Sequence, residues 1–423
     1  MKKDISSIVS FVLVLITIVS MLIFSIMITY DSNYLKIYSF YLMGIGSLSL
    51  INYIISKIKK LKFNIYEIMV IVLIILSSLS LTTAIDIERA LFGSINRYEG
   101  FFVIISYYLI FLNSMNIKSK NHIKYVAYLI LLVGIINIFY GLFQIGILNT
   151  TIFSIKGSWH YAKGFGGNSM FFGTLCSICF PIIYGDFIKS KCKKEIIIKF
   201  LLLIIFTYGL LISGAMSSVV SLIFVILFSI YEIIRKIIKK EKYKKELLLI
   251  IIGFCLIICL TSIETIRNDY LKNDLMELFY QTREVGLGNT SDTYGTGRIY
   301  IWKQTIKKIG ESPLTGIGVD NFRLAFKPVL IDKVSGLVVN KAHNEYLQRI
   351  LCEGLFTGIT FIIFIATIFF KNINKYKDGI QYGLFLSFIS YSIQAFFNIS
   401  VTRFAPLYFI VMGLIIFDNK SKD

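Results

Sequence analysis

Long stretches without a charged residue recur along this chain and restrict what it can fold into. Ile5–Tyr30, Ile37–Ser56 and Phe101–Ile117 are three of them. A helix that crosses a bilayer core needs about 20 apolar residues. A backbone inside that core must satisfy its own hydrogen bonds, as a helix does. Hydrophobic residues make up 56% of the chain. The sequence therefore predicts an all-α integral membrane protein.

About twelve transmembrane helices are predicted, and together they form a single polytopic membrane domain over residues 1–423. The uncharged run Phe200–Tyr231 could be one long helix or two short ones joined by a turn at Ser213–Ser218. Two spans are favoured because a single one would put the seven cations of Arg235–Lys245 outside. The first apolar run is too long for a signal peptide and has no cleavage site, so we expect it to be retained. The predicted spans are 5–29, 36–56, 66–85, 100–117, 125–148, 167–187, 196–212, 215–235, 247–264, 346–370, 378–399 and 403–418.

The distribution of lysine and arginine predicts the orientation. With twelve spans and a cytoplasmic N-terminus, most of the 44 cations fall in short cytoplasmic loops, as the positive-inside rule requires. Both termini are then cytoplasmic, and the large loop 265–345 between spans nine and ten is extracytoplasmic. This topology explains the net charge of +19. No motif indicates a nucleic-acid partner.

The large outside loop is predicted to be partly helical. Glu264–Glu284 and Arg298–Gly310 carry apolar residues at helical spacing, which is typical of amphipathic helices at a membrane surface. Gly286–Gly297 is predicted to be a flexible connector. Arg298 and His343 fall at the depth of the outer headgroups. Each also has a simple structural interpretation, as a lipid-phosphate anchor and as a residue at a helix end.

Three motifs follow one another in this loop and resemble the O-antigen ligase and polymerase superfamily, polytopic glycosyltransferases with a large late periplasmic loop. The resemblance covers residues 85–415. Two positions depart from the family pattern: Met170 stands where a second asparagine is expected, and Met216 where an arginine is expected. The motifs are Gly297-Arg298 with Trp302, then Ser312–Gly318 with Phe322, then Ala342-His343-Asn344 with Tyr346-Leu347, and earlier Asn96–Gly100 and Gly164–Asn168.

The resemblance implies a bacterial glycosyltransferase of the cytoplasmic (inner) membrane. It would transfer a glycan from a polyprenyl-pyrophosphate donor to an acceptor hydroxyl on the outer face, in assembly of cell-envelope polysaccharide or glycoconjugate. The implied partners are that donor, a glycan, lipid or protein acceptor, and membrane lipids, with no cofactor. A polymerase of the same superfamily that extends lipid-linked repeat units is one alternative. A flippase or transporter is another, although mid-span charges are almost absent and no repeat is found.

Two residues are the candidate catalytic groups. His343 could orient the acceptor hydroxyl or take its proton, and Arg298 could neutralise charge that builds on the diphosphate. No cluster of carboxylates resembles a metal site, so we predict a metal-independent enzyme. Further substrate-binding candidates are the cations Arg97, Lys163 and Arg403 and the polar residue Asn168.

Three residues near the proposed site have two interpretations each. Asn344 could cap a helix or hold a sugar hydroxyl. Trp302 and Tyr346 could be interfacial anchors or stacking platforms for a sugar. All three are kept as substrate-binding candidates.

Overall fold

The chain folds into helices, which follow from its apolar runs. The computed structural model describes residues 5–58, 62–148, 160–376 and 378–416. Within these ranges no strand forms, apart from one isolated bridge between Ile331 and Val338. A second loop, 149–166, is also predicted to be extracytoplasmic, and most of it lies outside the described part. The same is true of the charged C-terminal residues 417–423.

Sixteen α-helices occur in the described ranges. The first eight are α1 Ile5–Tyr30, α2 Tyr34–Lys57, α3 Ile65–Leu79, α4 Ile87–Phe92, α5 Phe101–Met115, α6 Lys120–Gln144, α7 Ser169–Ile188 and α8 Lys193–Ser213. The others are α9 Met216–Ile238, α10 Lys244–Arg267, α11 Asp269–Gly286, α12 Arg298–Gly310, α13 Glu345–Glu353, α14 Leu355–Asn372, α15 Gly379–Phe397 and α16 Ala405–Ile415.

Nine helices of the described chain are long and apolar enough to cross a membrane: α1, α2, α6 to α10, α14 and α15. This agrees with a multi-pass membrane protein. The shorter apolar helices α3, α5 and α16 fall within the three remaining predicted spans. The count of twelve and the orientation of the termini stay predictions.

The turn predicted between the seventh and eighth spans is confirmed. Helix α8 ends at Ser213, and Gly214 follows in the left-handed conformation with φ of 61°. Helix α9 then begins at Met216. A glycine suits this position because a side chain would be strained there and would meet the ring of Tyr161.

The tenth predicted span, 346–370, is divided into two helices. Helix α13 ends at Glu353, Gly354 has φ of 104°, and α14 begins at Leu355. The left-handed backbone of Gly354 sets the boundary, and the α13 part carries charge: Arg349 pairs with Glu345 at 2.9 Å and with Glu353 at 2.8 Å, and all three side chains are buried in protein. A charged cluster of this kind packs inside the protein and leaves the apolar α14 to face lipid.

Helices α7 and α15 form the centre of the bundle. They approach so closely at Gly185 and Gly383 that a Cβ on Gly185 would lie 2.5 Å from the facing backbone. Such contacts between small residues are common in membrane helices. This contact holds the C-terminal part of α7 against α15. We call the end of the bundle that carries α4, α12 and α13 the loop side.

Candidate active site

A buried ion pair anchors the segment that carries His343. The Lys341 ammonium lies 2.6 Å from Glu99, and the two side chains are only 5% and 2% exposed. Tyr107 donates a second hydrogen bond to Glu99 at 3.2 Å. Burial is the largest single effect and would lower the pKa of Lys341, but the carboxylates of Glu99, Asp320 and Glu345 together outweigh it and raise the pKa. Lys341 is therefore a charged structural anchor.

Asn344 begins α13 as its N-cap. Its buried side-chain oxygen accepts hydrogen bonds from the backbone N–H groups of Tyr346 and Leu347, both at 3.0 Å. The Tyr346 hydroxyl donates to the Ser392 carbonyl at 2.7 Å. Of the two interpretations of Asn344, the structure supports the cap. These contacts hold the start of α13 rigidly next to His343.

His343 itself is held in an unusual state. Its backbone is in the left-handed region with φ of 50°, which is uncommon for residues with a side chain. Its Nδ1 is buried and has no hydrogen-bond partner among the described residues. Burial, and then the charges of Arg298 and Arg97, lower the pKa of His343 to about 4. The imidazole is therefore neutral at neutral pH.

Arg298 is the first residue of α12 and is only partly used by the protein. Its Nη1 donates to the Gly295 carbonyl at 2.8 Å and to the Thr296 hydroxyl at 2.7 Å. Its Nη2 faces the sulfur of Met170 at 3.8 Å, and its buried Nε has no partner among the described residues. Burial lowers the pKa of Arg298. One edge of the guanidinium is fixed, and the remaining donors suit an anion.

Arg403 reaches the start of α7 from the loop before α16. Its Nη1 donates to the Phe165 carbonyl at 2.8 Å, and burial lowers its pKa to about 10. Gly167, with φ of 71°, leaves room for it, because a Cβ there would lie 2.9 Å from that nitrogen. Asn168 caps α7 by accepting from the Met170 N–H at 2.8 Å. Two arginines thus approach a helix N-terminus, where the helix dipole also favours anions.

Arg97 is the third arginine of the candidate site. Thr402, beside Arg403, donates to the Arg97 carbonyl at 3.0 Å, and the charge of Arg97 acts on His343. We call Arg97, Arg298 and Arg403 the arginine cluster. The structure therefore brings together four of the predicted site residues from distant parts of the chain.

Two other predicted residues lie nearby with different surroundings. Lys163 precedes the 3-10 turn Gly164–Gly166, its backbone N–H is held by Gln144 at 2.8 Å, and burial lowers its pKa. Trp302 packs against Phe396, with ring centroids 5.4 Å apart. Its buried Nε1 has no partner among the described residues. Trp302 thus belongs to an aromatic surface beside the arginine cluster.

Some residues that shape the site were not predicted. Glu99 and Lys341 are 242 positions apart, so no local pattern pairs them. The α13 charges did carry a signal, because Glu345, Arg349 and Glu353 recur every four residues within an otherwise apolar stretch. No group of three or more His, Cys, Asp or Glu side chains that could hold a metal occurs among the described residues. Metal independence stays a prediction.

Comparison with known proteins agrees with the motifs. The sequence model of the O-antigen ligase family matches residues 201–362. This region runs from within α8 into α14 and contains Arg298, Trp302 and His343. A search of curated proteins found no match. The resemblance to the O-antigen ligase superfamily is therefore confirmed over residues 201–362.

Proposed function

We propose that this protein transfers a glycan from a polyprenyl-pyrophosphate donor to an acceptor hydroxyl on the outer face of the bacterial cytoplasmic membrane. The arginine cluster is the observation that carries the proposal. Within the described chain none of its three guanidinium groups forms an ion pair with a carboxylate. By contrast, Arg349 pairs with two carboxylates. The three arginines are partly buried, and the nearby charge of Asp332 acts on Arg298 without forming an ion pair with it. Partly buried cations without a paired carboxylate suit a bound anion.

The donor's diphosphate supplies that anion. Arg298 and Arg403 would bind its oxygens at the start of α7, since planar guanidinium donors match phosphate geometry. When the anomeric C–O bond breaks, the electron pair stays on the diphosphate and its negative charge increases. Fixed cations and the α7 N-terminus stabilise that charge, a contribution that is often the largest in catalysis.

His343 supplies the acceptor chemistry. The acceptor oxygen forms a bond to the anomeric carbon, and its proton passes to the neutral imidazole. The charges of Arg298 and Arg97 help to keep the pKa of His343 near 4 in the empty site. A bound diphosphate would offset those charges and raise the pKa. His343 would therefore become a stronger base when the donor is in place.

An apolar surface beside the cluster suits the lipid tail of the donor. Phe396 is 46% exposed, and it contacts both Trp302 and Tyr346. Ile306 on α12 is also exposed. This surface would let the polyprenyl chain stay in the bilayer while the diphosphate enters the polar site. Trp302 and Tyr346 then act mainly as walls of the site.

The test is transfer by the purified protein in lipid nanodiscs, with a polyprenyl-diphosphate-linked glycan, in EDTA. His343→Gln should lower the rate by about 10²–10⁴-fold, the usual size of general acid–base catalysis. Arg298→Gln should also be severely impaired. Lys307→Gln removes a charge from the exposed side of α12 and is the matched control. Full activity of His343→Gln would refute its catalytic role, and activity restored only by added Mg²⁺ would refute metal independence.

Product length separates the ligase from the polymerase. A ligase gives one modified acceptor, whereas a polymerase gives a ladder of repeat units. We favour the ligase because the His343-Asn344 motif follows a long late loop. The flippase alternative predicts that a fluorescent lipid-linked glycan crosses the bilayer of proteoliposomes. Crossing without any transfer would support the flippase.

A further inference from the structure

A cavity of about 750 Å³ opens on the loop side between α2, α4 and the loop around Arg97. Its size is within the range of small-molecule sites, about 300–1,000 Å³. Of the described residues that line it, the charged ones are four cations and two carboxylates. They are Lys36, Arg89, Arg97 and Arg323, with Asp86 and Glu88.

The walls of this cavity are built by the protein's own hydrogen bonds. Asp320 accepts a bond from the Ser94 N–H at 2.6 Å, and its carbonyl accepts one from Arg89 Nε at 2.7 Å. Asp86 is engaged as the cap of α4, where it accepts from the Arg89 N–H at 3.0 Å. Lys36 and Arg323 are exposed. The cavity is therefore a formed hollow with a surplus of positive charge.

The cavity lies beside the segment that carries His343. Arg97 lines it and also acts electrostatically on His343. Asn340, three residues before His343, is part of the wall. The buried pair of Lys341 and Glu99 fixes this wall against the Arg97 loop. The cavity is thus walled by α2, α4 and the Arg97 loop, whereas Arg298 and Arg403 lie at the start of α7.

We propose that this cavity is the entrance for the acceptor, and that the acceptor is a polyanionic glycan bearing carboxylate or phosphate groups. The inference rests on the proposed function, because it names the acceptor class of the same site. Two features support it: the polar lining suits sugar hydroxyls, and the cations suit the anionic groups. The donor and the acceptor would then reach His343 from different sides.

Direct binding tests the inference. The full-length protein in nanodiscs of zwitterionic lipid is titrated with an octamer of polygalacturonate and with malto-octaose, a neutral chain of equal length. The charged octamer should bind more tightly, and the preference should shrink as salt rises. The double variant K36Q/R323Q should bind it about tenfold more weakly, which corresponds to about 1.4 kcal/mol. The variant K272Q/R283Q removes two exposed charges from α11 and should bind like the parent protein.

The outcomes separate the acceptor from a lipid headgroup and from the proposed function. Equal binding of the two octamers, or equal weakening by both double variants, would overturn the inference. In a second set of nanodiscs that contain phosphatidylglycerol, a K36Q/R323Q effect that appears only as weaker binding of that lipid would also overturn it. If no acceptor is ever glycosylated but the charged octamer still binds selectively, the proposed function fails and the anion site stands. If transfer proceeds with no preference for anionic acceptors, the proposed function stands and the inference about the acceptor fails.

Discussion

The titration of His343 is the sharpest consequence of the arginine cluster. Its pKa is lowered from the ordinary 6.5 to about 4, by burial first and then by Arg298 and Arg97. This corresponds to a preference of about 3 kcal/mol for the neutral imidazole, since each pH unit is worth 1.36 kcal/mol. The side chain should therefore stay neutral from pH 8 down to about pH 5.

The chain offers a direct assay, because it contains only three histidines, His122, His160 and His343. With ¹³C-labelled histidine, each ring carbon gives one NMR signal, and His→Gln variants assign the three. The His343 signal should titrate near pH 4. Arg298→Gln should raise this pKa, but not back to 6.5, because burial is the larger cause. A diphosphate such as farnesyl diphosphate should raise it in the parent protein.

Two results would refute this reasoning. A His343 pKa near 6.5 in the parent protein would show that neither burial nor the arginines act as described. A pKa that does not respond to Arg298→Gln, with Lys307→Gln as the matched control, would separate His343 from the cluster. The transfer rate at limiting substrate should fall only as pH drops toward 4, because the reaction needs the neutral imidazole of the free enzyme.

Three further predictions concern how the site is held. Lys341→Met leaves Glu99 buried and unpaired, so it should lower the free energy of unfolding in mixed micelles by about 3–5 kcal/mol. Adding Glu99→Gln should recover part of the lost stability. If the losses from the two single substitutions simply add in the double variant, the two residues do not form a buried pair. Asn344→Ala removes the α13 cap and should cost about 1 kcal/mol in the same assay, whereas Asn344→Asp should cost little. Gly167→Ala pushes a methyl group against Arg403 and should raise KM for the donor; an unchanged KM would show that Arg403 does not bind it.

Local periodicity explains how much of this architecture the sequence predicts. The helix expected at Arg298–Gly310 is found with those bounds, because Ile299, Trp302, Ile306 and Ile309 recur at helical spacing. The same reasoning merged α13 with α14. Apolar residues surround the α13 charges, and a span of ordinary length could include both helices. The positive φ of Gly354 decides the boundary, and sequence alone does not show it.

Contacts between distant segments could not be predicted in this way. The arginine cluster joins the loops before α5, α12 and α16 to the start of α7. Each loop has its own motif, but no pattern within a motif predicts which other loop it contacts in the fold. All three arginines are predicted from the sequence as catalytic or substrate-binding candidates. Only the fold shows that two of them share the α7 N-terminus and that Asn344 is a cap.

The contrast between paired and unpaired cations bears on when His343 becomes an effective base in the proposed enzyme. Lys341 and Arg349 are neutralised by carboxylates of the protein itself, so they hold structure whether or not substrate is bound. In the proposed mechanism Arg298 keeps its charge for the diphosphate, and without that anion the charges of Arg298 and Arg97 add to burial in weakening His343 as a base. When the donor arrives, it strengthens the base at the moment when an acceptor hydroxyl has to be deprotonated. This coupling implies that the donor binds before the acceptor hydroxyl reacts.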